Sequence, residues 1–298
     1  MQLKFLINRL ILKLFPLRKP TLLALPNSIL FIVFDALGDL ILTTSVFREI
    51  KNIYPNIKIG VVATKRNKII LENNPFVDEV YESNKDYYLS NKKEWQQVKS
   101  IRQAQYDLVF DLWDRTSLTL LLKLKLFKPR KIVGLRKPYE VEQRKQLKTE
   151  DLGVYSDIIE IKYSGNFAER MLASLSYFDI TPTSLKNDIF ISENEKKIAQ
   201  TFLESLQNNS NCFINFYGVS EDHSLPKLSR LELIKSFLGN DDFNLILSSG
   251  GNIENECWLI NNCLSLDKER IKILPASLSI MRVLPVSMNE SSLQYAVK

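Results

Sequence analysis

Asp39 is the residue of this sequence best placed to do chemistry. It follows an apolar run, residues 29–34, and the turn-like Asp35-Ala36-Leu37-Gly38-Asp39, and it precedes a second apolar segment at helical spacing. A short buried run that hands over to a helix through Gly-Asp is the pattern of a parallel-sheet strand and its first helix. Open α/β sheets bind their ligands at that edge. A carboxylate there can take a proton from a hydroxyl nucleophile, which contributes roughly 10²–10⁴-fold. A helix N-terminus would stabilise its ionised form. The competing use of the same residue is as a plain helix N-cap.

Other chemistries are poorly supplied. His223 is the single histidine, so a Ser-His-Asp hydrolase or a histidine-rich metal site would have to be built around it alone. The three cysteines, Cys212, Cys257 and Cys263, lack metal-ligand spacing and read as buried free thiols of a reducing compartment. No metal site is expected.

The elements that must position Asp39 follow from the hydrophobic pattern. Strands are expected at 29–34, 58–63, around 77–80, 106–111 and 131–134, with helices at 43–53, 68–73, 95–103 and 117–127 between them. The pattern resets around 186–194. A second series follows, with helices at 193–207, 231–238 and 254–264 and strands at 212–216, 243–247 and 271–274. Alternation of this kind predicts an α/β fold with parallel sheets wound on both faces. The chain has 298 residues, room for two ordinary domains.

The formal charge of +6 favours anionic partners without choosing among phosphates, nucleic acid and a membrane face. Residues 123–148 carry ten Lys or Arg against two Glu, a solvated basic surface or an anion-facing loop. No aromatic-basic signature accompanies the charge, so nucleic acid is not an expected partner. No run is long and apolar enough to span a bilayer. Residues 1–20 place Leu3, Leu6, Ile7, Leu10, Ile11 and Leu14 at helical spacing among Lys4, Arg9, Lys13, Arg18 and Lys19. This reads as a basic amphipathic helix, lying on an anionic membrane or packed on its own domain.

With these residues in view, the chain resembles glycosyltransferase family 9, the bacterial lipopolysaccharide heptosyltransferases. DALGDLILTT at 35–44 is similar to the family's first turn and helix, with Ser45 where the family usually has Pro. Tyr54-Pro55, NPFVDEV at 74–80, YDLVFDL at 106–112 and Ile132-Val133-Gly134 follow in order. In the second half, INFYG at 214–218 resembles the donor-domain strand and loop. Ser249-Gly250-Gly251 with Glu254 resembles the region beside the nucleotide.

The resemblance implies two Rossmann-like doubly wound domains facing a cleft, of GT-B type, the second incomplete. It divides the chain into a basic segment at 1–27, an acceptor domain at 28–190 and a nucleotide-sugar domain at 191–298. It implies inverting transfer of a heptose or related sugar from an ADP-sugar to the lipopolysaccharide core, without a metal or other cofactor. Asp39 takes the place of the general base. Asp35, Gly38, Lys65, Arg66, Arg115 and Arg136 become acceptor-side candidates, the cations because core saccharides carry carboxylates and phosphates. Tyr217, Gly218, His223, Ser224, Lys227, Gly250, Gly251 and Glu254 become donor-side candidates. Glu254 is placed for a donor ribose, and equally for the helix macrodipole. The implied partners are a nucleotide sugar, a lipid-linked core oligosaccharide and an anionic membrane surface. The implied location is the cytoplasmic face of the bacterial inner membrane.

One departure is marked. The family's D-S/T-G-x-x-H loop, which cradles the donor phosphates, has no counterpart after Leu274, and the sequence ends short of the family's usual length. One preorganised donor is worth about 2.7–4 kcal/mol. Weak donor binding is therefore expected of this polypeptide. The alternative it leaves open is a catalytically impaired relic or accessory acceptor-binding protein.

Overall fold

The computed structural model describes residues 25–34, 37–83, 92–112, 117–135, 154–160, 167–205, 210–217, 224–239, 243–250 and 252–274. The chain divides into two compact units, Met1–Phe190 and Ile191–Lys298.

In the first unit the strands are β1 (Ser28–Val33), β2 (Lys58–Ala63), β3 (Glu79–Glu82), β4 (Leu108–Asp111), β5 (Lys131–Leu135) and β6 (Asp157–Ile159). Its helices are α1 (Leu37–Ile53), α2 (Lys92–Ala104), α3 (Leu118–Phe127) and α4 (Phe167–Ala173). The strands form one sheet in the order β3-β2-β1-β4-β5-β6, and every pairing is parallel. Parallel strands covered on both faces need near-continuous apolar runs, and β1 is fully buried from Ile29 to Val33. One face of the sheet packs Leu40, Val46, Phe47 and Ile50 of α1 with Met171 and Leu172 of α4. The other packs Val98 and Ile101 of α2 with Leu120, Leu121 and Leu124 of α3.

In the second unit, α5 (Glu193–Glu204) precedes β7 (Ser210–Asn215), α6 (Lys227–Leu238), β8 (Phe243–Ser248), α7 (Ile253–Cys263) and β9 (Ile271–Leu274). The three strands run parallel in the order β7-β8-β9. Ser192 and Glu195 form a reciprocal capping box that starts α5.

The α/β architecture is the expected one, with several local corrections. The first helix starts at Leu37 rather than residue 43, so Gly38 and Asp39 lie in its first turn rather than in a preceding loop. A helical glycine costs about 1 kcal/mol relative to alanine, which is why Gly-Asp reads as a break. Residues 67–71 form a 3-10 helix, and α5 stops at Glu204 rather than 207. Strand β6 and helix α4 carry no expectation, because β6 is only three half-buried residues long. Cys212 and Cys263 are buried free thiols, but Cys257 is exposed on α7.

Candidate functional site

The strand order reverses direction between β1 and β4. Helix α1 leaves β1 for one face of the sheet, and α3 follows β4 onto the other. The crevice outside the carboxyl ends of two such strands is where doubly wound sheets bind ligands. Asp39 stands beside it, half-buried in the first turn of α1, and its backbone carbonyl accepts from Thr43 Oγ1 at 2.8 Å. The unpaired amide end of a helix favours negative charge at this position.

Lys65 and Arg66 are exposed in the turn after β2. Parallel register sets Ala63 beside Val33, so this turn and the start of α1 share one edge of the sheet. The structure therefore gathers Gly38, Asp39, Lys65 and Arg66 along the carboxyl edge. Asp35, Arg115 and Arg136 lie outside the described residues.

Helix α1 is held firmly. Thr44 Oγ1 donates to Ile41 O at 2.6 Å and accepts the Asp188 amide at 2.9 Å. Arg48 donates to the carbonyls of Lys186 and Ser184 and pairs with Asp188 at 2.5 Å. Glu49 is buried and accepts the Thr183 amide at 2.9 Å. Burial alone would raise its pKa, but the hydrogen bonds from Thr183 and Arg48, with the Arg48 charge, hold it below the ordinary value.

Two polar clusters at this edge carry no expectation as clusters, and Lys123, expected on a solvated basic surface or an anion-facing loop, is instead 2% exposed because Glu94 and Ser83 take its charge inside. Asp111, fully buried at the end of β4, accepts Tyr155 Oη at 2.6 Å. The Tyr155 ring lies where a Cβ on Gly134 would stand, 2.5 Å from its Cε1. Asp111 appears in the sequence only as the end of an apolar strand, and Tyr155 is 44 residues away. Just past β3, Ser83 Oγ donates to Glu94 Oε2 at 2.7 Å. Lys123 Nζ reaches Glu94 Oε2 at 2.8 Å and Ser83 Oγ at 3.0 Å. All three side chains are buried. Glu82 closes this edge between Lys68 at 2.8 Å and Lys93 at 2.6 Å. Hydrogen bonds from Lys68 and then Lys93 bring its pKa down to about 2.

A cavity of about 280 Å³ lined by Tyr54, Lys131 and Tyr177 lies at the opposite, amino-terminal edge, away from Asp39.

In the second unit the candidates collect at the carboxyl ends of β7 and β8. Tyr217 follows β7, and its side chain packs against Gly250, where a Cβ would meet the Tyr217 Cβ at 2.9 Å. Gly250 has φ +65°, a left-handed conformation that independently calls for glycine. Arg230 of α6 is buried between the rings of Tyr217, 4.4 Å to the centroid, and Trp258, 5.3 Å. Its Nε donates to Leu225 O at 2.5 Å, which closes the loop leading into α6. Burial raises the Tyr217 pKa, partly countered by the Arg230 charge.

Lys227 is the first residue of α6, and Pro226 before it provides no side-chain cap. Helix α7 differs: Asn252 accepts the amides of Glu254 and Asn255. Glu254 is exposed in that first turn. The Ser249 hydroxyl, fully buried beside Gly250, makes no hydrogen bond among the described residues. Tyr217, Ser224, Lys227, Gly250 and Glu254 thus share one edge. Gly218, His223 and Gly251 lie outside the described residues. Among the described residues no group of three His, Cys, Asp or Glu is disposed to hold a metal ion.

No family model matches the chain. Lipopolysaccharide heptosyltransferase 1 of Campylobacter coli is 24% identical over 215 residues, which cover 69% of this chain and 59% of that protein. The chain is similar to that lipopolysaccharide heptosyltransferase. It spans about 59% of the length of that relative. Among solved structures, a family 9 glycosyl transferase from Veillonella parvula superimposes with a TM-score of 0.66 at 15% identity, covering 90% of this chain and 75% of that one. Escherichia coli heptosyltransferase WaaC, solved with ADP-2-deoxy-2-fluoro heptose, gives 0.61 at 18% identity, covering 87% and 79%. The fold is the GT-B fold of these glycosyltransferases, with Rossmann-like domains.

Proposed function

We propose that the chain is a glycosyltransferase of lipopolysaccharide core assembly that moves a heptose or related sugar from an ADP-sugar onto a lipid-linked core saccharide, with inversion. The observation that carries the reading is the placement of Asp39 in the first turn of α1, at the point where the strand order reverses. The carboxylate removes the acceptor hydroxyl proton as the oxygen attacks the anomeric carbon. The bond to the nucleoside diphosphate breaks on the opposite face of the sugar. Lys65 and Arg66 bind acidic groups of the acceptor.

The leaving diphosphate gathers negative charge, which amides, helix ends and cations can stabilise. Lys227 and the uncapped amides of α6 are the support for that role, with no metal required of the site. The bound ADP-heptose analogue belongs to the WaaC structure and supports a nucleotide-sugar donor here by likeness of fold. No helix among the described residues is long and apolar enough to cross a membrane. A peripheral position at the inner membrane, facing the cytoplasm, accords with a lipid-linked acceptor and a basic chain.

The test is a transfer assay with ADP-heptose and core acceptor, comparing wild type with Asp39→Asn. Loss of roughly 10²–10⁴-fold in turnover with little change in KM is expected. Transfer that survives the substitution removes Asp39 from the role of base. Acceptor binding without any transfer by the wild type would make the chain an accessory acceptor-binding protein instead.

A further inference from the structure

Helix α2 carries a second surface that the transfer reaction does not use. Its buried side, Val98 and Ile101, packs into the core. Its outer side places Lys92, Trp95, Lys99 and Arg102 at intervals of three and four residues, hence on one face. Together with Leu126 of α3 these residues line an open groove of about 660 Å³. Trp95 is 47% exposed, the one exposed aromatic side chain among the described residues.

The charges on this face are one-sided. Glu94 is the only acid of α2, and it is turned inward to Lys123 and Ser83. Lys93 is paired with Glu82. Lys92, Lys99 and Arg102 pair with no carboxylate among the described residues. Lys92 also stands at the amino end of the helix, where the macrodipole opposes a cation. Three cations without a carboxylate partner among the described residues, set around an exposed indole and an apolar groove, match the chemistry of an anionic bilayer surface. Phosphates meet the cations, and the indole sits at headgroup depth.

We propose that this face of α2 is a docking surface for anionic phospholipid bilayers. The proposal rests on the reading that the protein works at a membrane, and it names where contact is made. Helix α2 begins beside Glu82, at the same carboxyl edge of the sheet as the turn after β2. Only the Lys92 end of the docking face stands at that edge, and the groove continues along α2 to Gln105 and Leu126.

The test is co-sedimentation of the full chain with phosphatidylglycerol–phosphatidylcholine vesicles and with pure phosphatidylcholine vesicles. The wild type is expected on the anionic vesicles only, with binding that falls as salt rises. Joint substitution of Lys92→Gln, Lys99→Gln and Arg102→Gln is expected to lower partitioning roughly 100-fold. Trp95→Ala lowers it without changing the salt dependence. These positions are exposed, and an unchanged thermal midpoint verifies that the variants are folded. Unchanged partitioning of the triple variant, with binding lost instead on Lys4→Gln, Arg9→Gln and Lys13→Gln, overturns the α2 surface and leaves the membrane reading standing. A wild type that ignores anionic vesicles overturns both. A concentration-dependent dimer abolished by the triple variant, without vesicle binding, reassigns the face to self-association and overturns the proposal.

Discussion

Tyr155 and Asp111 join β5's flank to the end of β4 through one hydrogen bond, 2.6 Å from the phenol oxygen to Oδ2. The ring reaches the carboxylate because Gly134 leaves the space it occupies. The bond steadies the end of β4, one strand over from the end of β1.

Tyr155→Phe removes a donor from a fully buried carboxylate and should destabilise the protein by about 1.5–3 kcal/mol. Gly134→Ala should cost a comparable or larger amount, since the added methyl falls 2.5 Å from the ring and the ring is confined. Urea midpoints of the two single variants and the double variant provide the measurement. Strong non-additivity is expected, because the glycine acts through the tyrosine. Fully additive costs would separate the two residues.

Lys123 and Glu94 make a buried ion pair at 2.8 Å, with side chains 2% and 6% exposed. Lys123→Met leaves the carboxylate without its cation and should cost about 3–5 kcal/mol. Pairing it with Glu94→Leu should restore much of that loss, because buried pairs are often replaceable by apolar residues of similar size. Chemical denaturation of the three variants decides it.

Acid should weaken the edge around β3. The Glu82 carboxyl, ordinarily near 4.5, is held at about 2 by Lys68 and Lys93. A lowered folded-state value means that the native protein releases this proton more readily than the unfolded chain. Its stabilisation is present above about pH 4.5 and is lost as pH falls through about 2. Glu82→Gln should flatten this acid limb. At neutral pH the substitution should cost about 1 kcal/mol, since Lys68 and Lys93 are 42% and 60% exposed and the pair is screened. Unfolding midpoints followed from about pH 7 to about pH 2 test both statements.

At the second edge, Gly250→Ala meets two obstacles, the left-handed φ of +65° and the Tyr217 side chain at 2.9 Å. A loss of about 1–2 kcal/mol is expected from the backbone alone. ADP affinity, measured by calorimetry, should fall with it, and Lys227→Gln should lower ADP affinity without changing stability. Unaltered ADP binding in both variants would remove this edge from the donor site.

How much of this was readable in the chain depends on the residue. The strands β1, β2 and β4 announce themselves because buried parallel strands carry near-continuous apolar runs. The start of α1 does not, because Gly38 opposes the helix locally while Leu40, Val46 and Phe47 secure it by burial in the core. Asp39 is singled out by its place after the strand, a local signal. Asp111 with Tyr155, Lys123 with Ser83, and Arg230 between Tyr217 and Trp258 depend on contacts between residues 13 to 44 positions apart along the chain, which spacing does not encode. The pairing of Lys93 with Glu82 is what exposes the one-sidedness of α2, since composition alone counts all its lysines alike.

The clasp of Thr44, Arg48 and Glu49 on residues 183–188 has a mechanical meaning. The chain leaves the first unit through a segment bolted to α1, with Phe190 seated on Phe76 at 5.7 Å. These ties splint the outside of α1 within its own unit, so the helix that carries Asp39 is braced by residues far along the chain as well as by its core face.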